Sequence, residues 1–150
     1  MKNILTPIDF SDITDEVIKM AAQSAKAFAA KLWIVHVAAP EPDFVGYGVG
    51  PQHERDWRAD TLRKEHKFIQ EEKTKLEAEG IVVEGLLIQG PVIETILSEI
   101  RKVKAEMIVV GSHGHGALFK LLMGSVCEGL VRKASCPILI VPGRKGKVGG

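Results

Sequence analysis

The stretch GSHGHGALFKLLMGS, running from Gly111 to Ser125, decides how the rest of the chain is read. Before it stands Met107-Ile108-Val109-Val110, a short apolar run with the length and β-branching of a buried strand. After it, Ser125-Val126-Cys127-Glu128 opens a segment that reads as a helix. A strand, a glycine-rich turn and a helix N-terminus in that order make a phosphate cradle in α/β proteins. Glycine lets the backbone take positive φ and lets N–H groups approach an anion with no Cβ in the way. The loop is not a Walker A motif, because Ala117-Leu118 follow Gly116 where Lys-Ser/Thr would be needed.

Outward from this loop, strands and helices alternate. Lys2 to Ile8 reads as a first strand with Pro7 at its margin, followed by Asp9-Phe10-Ser11-Asp12, in which Ser11 or Asp12 is the expected N-cap. A helix to about Ala30 carries Ile13, Val17, Met20, Ala21, Ala25 and Phe28 as a core-facing stripe. Leu32 to Ala38 is a continuous apolar strand of the kind buried on both faces, and His36 within it reads as a satisfied strand histidine. Pro40 to Pro51, with three prolines and three glycines, is expected to be a surface loop. Glu54 to Glu79 reads as a long charged helix ended by Gly80, with Trp57, Leu62, Phe68, Ile69 and Leu76 as its core residues. Ile81 to Ile88 is a third strand interrupted by Gly85. Pro91 opens a helix bearing Ile93, Ile96, Leu97, Ile100 and Val103. Val126 to Ala134 is the last helix and Pro137 to Val141 the last strand.

This alternation predicts a single α/β domain with a parallel sheet and right-handed crossovers, a three-layer sandwich over residues 1–142. The glycine- and lysine-rich residues 143–150 read as a flexible tail. A formal net charge of +1 gives no reason to expect nucleic acid or an anionic membrane as the partner. No run approaches the roughly 18 apolar residues of a membrane span. No long apolar stretch precedes Asp9, and Cys127 and Cys136 form no CxxC pair, so a reducing cytoplasm is the expected location.

The three loop positions are spaced as Gly111, two residues, Gly114, nine residues, Gly124-Ser125. That pattern resembles the nucleotide-binding signature of the universal stress protein family, in its ATP-binding branch. The resemblance extends over nearly the whole chain. It implies a Rossmann-like nucleotide-binding fold with five parallel strands in the order 3-2-1-4-5, an order the residues alone do not supply. It implies ATP as the ligand, with Mg²⁺, and the function of a nucleotide-dependent regulator or switch in the stress response. By the same resemblance, Gly111, Ser112, His113 and Gly114 form the loop, and Gly124, Ser125 and Val126 hold phosphate through backbone N–H groups and the hydroxyl. Asp9, two residues after Pro7, matches an aspartate near ribose or a metal, and Val37 matches an adenine-contacting position. Where the family often has glycine, any residue, then proline, Pro91 here follows Gly90 directly.

Each assignment has a plainer reading. Asp9 also suits a helix entry, and Ser125 with Glu128 makes a capping box that is compatible with phosphate binding. His115 and Lys120 read as solvated loop residues, Cys127 as a small buried residue. Ser112-His113 is no hydrolase dyad, since there is no G-x-S-x-G elbow and adjacent residues rarely align as nucleophile and base. The five histidines lack zinc-ligand spacing. Two alternatives to the regulator stay open. One is a slow ATP hydrolase, for which Asp9 is the one metal or base residue the sequence offers; the other is a protein-interaction module with an empty loop. The resemblance also implies a homodimer formed through the last strand, Ile138 to Val141, with a regulatory protein partner that the sequence does not identify.

Overall fold

The computed structural model describes residues 1–38, 52–112 and 124–143. The elements run β1 (Asn3–Pro7), α1 (Thr14–Phe28), β2 (Lys31–Ala38), α2 (Gln52–Ala78), β3 (Val83–Gln89), α3 (Val92–Val103), β4 (Met107–Gly111), α4 (Ser125–Lys133) and β5 (Ile138–Val141). The five strands form one sheet in the order β3-β2-β1-β4-β5, and every neighbouring pair is parallel. The expected fold and strand order are therefore the ones observed. The expected loop over 40–51, His115, Lys120 and the tail from 144 lie outside the described residues.

Period-two alternation sorts the strand side chains into two cores. Ile4, Leu32, Ile34 and Val109 face α1 and α2, where they meet Val17, Ala21, Ala25, Ile69 and Leu76. Leu5, Val35, Val37, Ile108 and Val110 face α3 and α4, where they meet Ile96, Ile100, Cys127 and Leu130. Both faces of β1, β2 and β4 are covered, which is why these strands read as unbroken apolar runs. Thr6, fully buried at the centre, is tolerated because its Oγ1 donates to the Val109 carbonyl at 2.8 Å across to β4.

Several expectations are corrected. Met20 and Phe28 are not in the core; Phe28 lies at the last turn of α1, where the chain leaves the sheet, and is 50% exposed. Trp57 is 68% exposed rather than buried. Pro91 is the N-cap of α3, one place earlier than expected. Neither Ser11 nor Asp12 caps α1: Ile13 occupies that position and no side chain bonds to the helix start. Gly85 does not break β3. It leaves the space that the Ile69 side chain of α2 fills, so a Cβ there would collide with it.

Candidate functional site

The strand order reverses at β1, which has β2 on one side and β4 on the other. The connections from β1 and β4 therefore diverge to opposite faces and leave a crevice beyond their carboxyl ends. A cavity of about 330 Å³ lies there. Pro7 lines it from β1, Ile8 and Asp9 from the turn just after it, His36 and Val37 from β2, Val110 and Gly111 from β4. The start of α1 contributes Ser11, Ile13 and Thr14, and the start of α4 contributes Gly124 through Cys127. Seven residues chosen from the sequence, Pro7, Asp9, Val37, Gly111, Gly124, Ser125 and Val126, thus share one cavity. His113 and Gly114 lie outside the described residues.

Ser112, not among the lining residues, fastens the rim of the cavity. Its N–H donates to the Val141 carbonyl at 2.8 Å, and its own carbonyl accepts from the Gly124 N–H at 2.7 Å. Its Oγ accepts from the Gly143 N–H at 3.1 Å. These bonds join the end of β4 to the end of β5 and bring the entry of α4 against both. The two ends of the glycine-rich segment are thereby held side by side.

The capping box expected from Ser125 and Glu128 does not form. Gly124 is the N-cap of α4, in an extended conformation, and its carbonyl accepts the first helical bond from the Glu128 N–H at 2.9 Å. Ser125 is then the first helical residue, and among the described residues no side chain caps the helix. Glu128 turns along the helix to Arg132 at 2.9 Å. The consequence is a helix N-terminus that faces a cavity with no capping oxygen from the described residues over its positive dipole end.

On the opposite wall, Phe10 takes the left-handed conformation (φ 60). This folds the chain so that Asp9 Oδ1 accepts the Ser11 N–H at 3.0 Å. The Phe10 ring then lies edge-on to His36, with centroids 4.6 Å apart, and to Phe68 of α2 at 5.3 Å. His36 is satisfied, as the sequence suggested: its Nδ1–H donates to the Ile8 carbonyl at 2.8 Å, and its Nε2 lies 3.5 Å from a Glu65 carboxylate oxygen. Sequence reasoning missed Ser11 and Thr14 as cavity residues. Both are buried, and neither Ser11 Oγ nor Thr14 Oγ1 has a hydrogen-bond partner among the described residues. A hydroxyl at a helix start reads as a cap, which concealed Ser11, and nothing in the local pattern singles out Thr14. Cys127 also lines the cavity, and burial pushes its thiol pKa up from the ordinary value. Among the described residues, no group of three or more histidine, cysteine or acidic side chains converges to hold a metal ion, and no helix is long and apolar enough to cross a membrane.

Comparison with known proteins places this architecture. The profile of the universal stress protein family matches residues 1–142. Universal stress protein MJ0531 of Methanocaldococcus jannaschii is 32% identical over 143 residues, covering 93% of this chain and 81% of the relative. A universal stress protein of Thermus aquaticus is 32% identical over 144 residues, covering 93% and 98%. Among solved structures, MJ0577 superposes with a TM-score of 0.78 at 24% identity, over 97% of this chain and 98% of that one. A universal stress protein in complex with cAMP superposes at 0.68 with 23% identity, over 93% and 95%. An Archaeoglobus fulgidus universal stress protein in complex with dAMP superposes at 0.61 with 22% identity, over 93% and 97%. At these identities the solved structures speak for the fold, while the profile and the two relatives speak for descent. The chain belongs to the universal stress protein family.

Proposed function

We propose that this protein binds ATP in the crevice between β1 and β4 and works as a nucleotide-dependent regulator in the stress response. The observation that carries the reading is one cavity walled by the uncapped N-terminus of α4 on one side and by Asp9 on the other. Phosphate suits the α4 wall, where backbone N–H groups and the helix dipole attract an anion. Val37 and Pro7 supply an apolar edge for the base. The family members solved with cAMP and dAMP support an adenine nucleotide as the ligand.

Mg²⁺ fits this site as part of the nucleotide rather than as a resident ion. Magnesium in nucleotide sites keeps several waters and is held by phosphates with one or two carboxylates. Asp9 offers Oδ2 for that purpose, its Oδ1 being engaged by Ser11. When bound, the ion would screen the phosphate charge. Backbone N–H groups and one carboxylate suit holding a phosphate chain better than cleaving it, so we place regulation ahead of hydrolysis. We also propose a cytoplasmic homodimer that engages a regulatory protein. Its interface is β5, an edge strand on which Leu139 and Ile140 are 36% and 38% exposed.

Calorimetric titration with ATP and Mg²⁺ tests the reading, using wild type and Ser125→Asp. A carboxylate in the first turn of α4 favours the helix dipole and repels phosphate. The variant should therefore keep its folding stability and lose ATP binding by at least tenfold. Unchanged affinity in the variant, or no binding by folded wild type, would refute the site.

A further inference from the structure

Asp9 is exposed, yet the residue on each side of it is held from α2. Phe10 follows it in the left-handed conformation (φ 60), which costs a bulky residue free energy and suits glycine or asparagine. Such a backbone persists where the surrounding contacts over-determine it. The contacts here are aromatic: the Phe10 ring meets Phe68 of α2 edge-on at 5.3 Å and His36 at 4.6 Å. Ile8 precedes Asp9, and its carbonyl accepts from the His36 Nδ1–H at 2.8 Å. The Nε2 of the same ring lies 3.5 Å from Glu65 of α2.

Glu65 and Phe68 are three residues apart and so share one face of α2. Ile69 lies beside them, fully buried, with its side chain in the space that Gly85 leaves on β3. That notch fixes where α2 lies along the sheet, and with it the height at which Glu65 and Phe68 stand. Two lines of contact thus run from α2 to the end of β1, one through Phe10 and one through His36. They close on either side of Asp9. The bond between Asp9 Oδ1 and the Ser11 N–H needs no aromatic ring at position 10, so the turn alone does not account for Phe10.

We infer that Glu65 and Phe68 are positioning residues for the nucleotide site: through His36 and Phe10 they set the direction of the Asp9 carboxylate. This rests on the nucleotide reading above and goes beyond it, since among the described residues α2 contributes nothing to the cavity wall.

The test titrates the full-length chain with ATP and Mg²⁺, using Phe68→Leu and Glu65→Ala, each alone and combined with Asp9→Asn. Phe68→Leu keeps an apolar side chain on α2 and removes only the ring. Each of the three single changes should weaken binding by about tenfold, whereas in chains already carrying Asp9→Asn the second change should cost about twofold or less. Linkage requires the reverse effect as well, so ATP with Mg²⁺ should slow amide exchange at 65–69 more in wild type than in Phe10→Gly. The same loss with and without Asp9→Asn would show these contacts to be packing alone and overturn the inference. So would unchanged binding in Phe68→Leu, in Glu65→Ala or in Asp9→Asn, or equal slowing of exchange, and in each case the nucleotide site would stand. Failure of folded wild type to bind would overturn both readings.

Discussion

At Gly111 the close approach of α1 leaves no room for a methyl group. A Cβ there would sit 2.5 Å from Ile13 Cδ1 and 3.3 Å from Val17 Cγ2. One of the three signature glycines therefore has a packing reason for being glycine, independent of any ligand. Gly111→Ala should cost about 1–3 kcal/mol of stability by overpacking, measured by urea denaturation, and Ile13→Val should recover part of it. A neutral Gly111→Ala would mean that the Ile13 side chain turns aside at little cost. Cys127 yields a second prediction. Desolvation raises its thiol pKa above the ordinary 9.0, as it does that of Cys136. The folded chain then holds these protons more tightly than the unfolded chain. The stability they contribute is full below pH 9 and declines as pH rises beyond it. Cys127, 2% exposed, should accordingly react with iodoacetamide far more slowly than the same thiol in denaturant, and mass spectrometry of tryptic peptides would read the difference.

Helices α1 and α3 both end on a non-glycine residue in the left-handed conformation, Ala29 at φ 52 and Lys104 at φ 56. Their N–H groups close the last turn, so the geometry is required even though the residue types resist it. Ala29→Gly and Lys104→Gly should each stabilise the protein by about 1 kcal/mol, visible as a higher denaturation midpoint. Helix α2 explains why sequence reading overreached. It has 27 residues and so spans roughly 40 Å, whereas the eight residues of β2 span roughly 26 Å. Only its later part can lie over the sheet, which is where Ile69 and Leu76 are buried. Trp57 belongs to the overhanging part. A heptad of apolar residues states which face of a helix is inward, but not how much sheet lies beneath it. The mistaken capping box at Ser125 has a similar origin: the motif is defined by side chains, and the helix began one residue sooner, on Gly124. The alternation that set the fold class was legible because burial on both faces leaves few alternatives for a run such as Leu32 to Val37.

At the scale of the molecule, the described residues form one sheet with its chemistry at the carboxyl end and β3 and β5 at its two edges. The strand order that creates the crevice was not in the local pattern, since β1 can choose its neighbours only in three dimensions. Once β4 lies beside β1, Asp9 and Ser125, 116 positions apart in the sequence, face a common space. At the β5 edge, Leu139 and Ile140 predict that sedimentation equilibrium will find a dimer, and that Ile140→Lys will shift it toward monomer. A wild-type monomer at high concentration would remove β5 from consideration as an interface. The Ser112 clasp has a longer reach. The Gly124 bond to the Ser112 carbonyl, with the bonds of Ser112 to Val141 and Gly143, ties the end of β4, the end of β5 and the entry of α4 into one knot, so a disturbance of the β5 edge is carried to the rim of the cavity through a single residue.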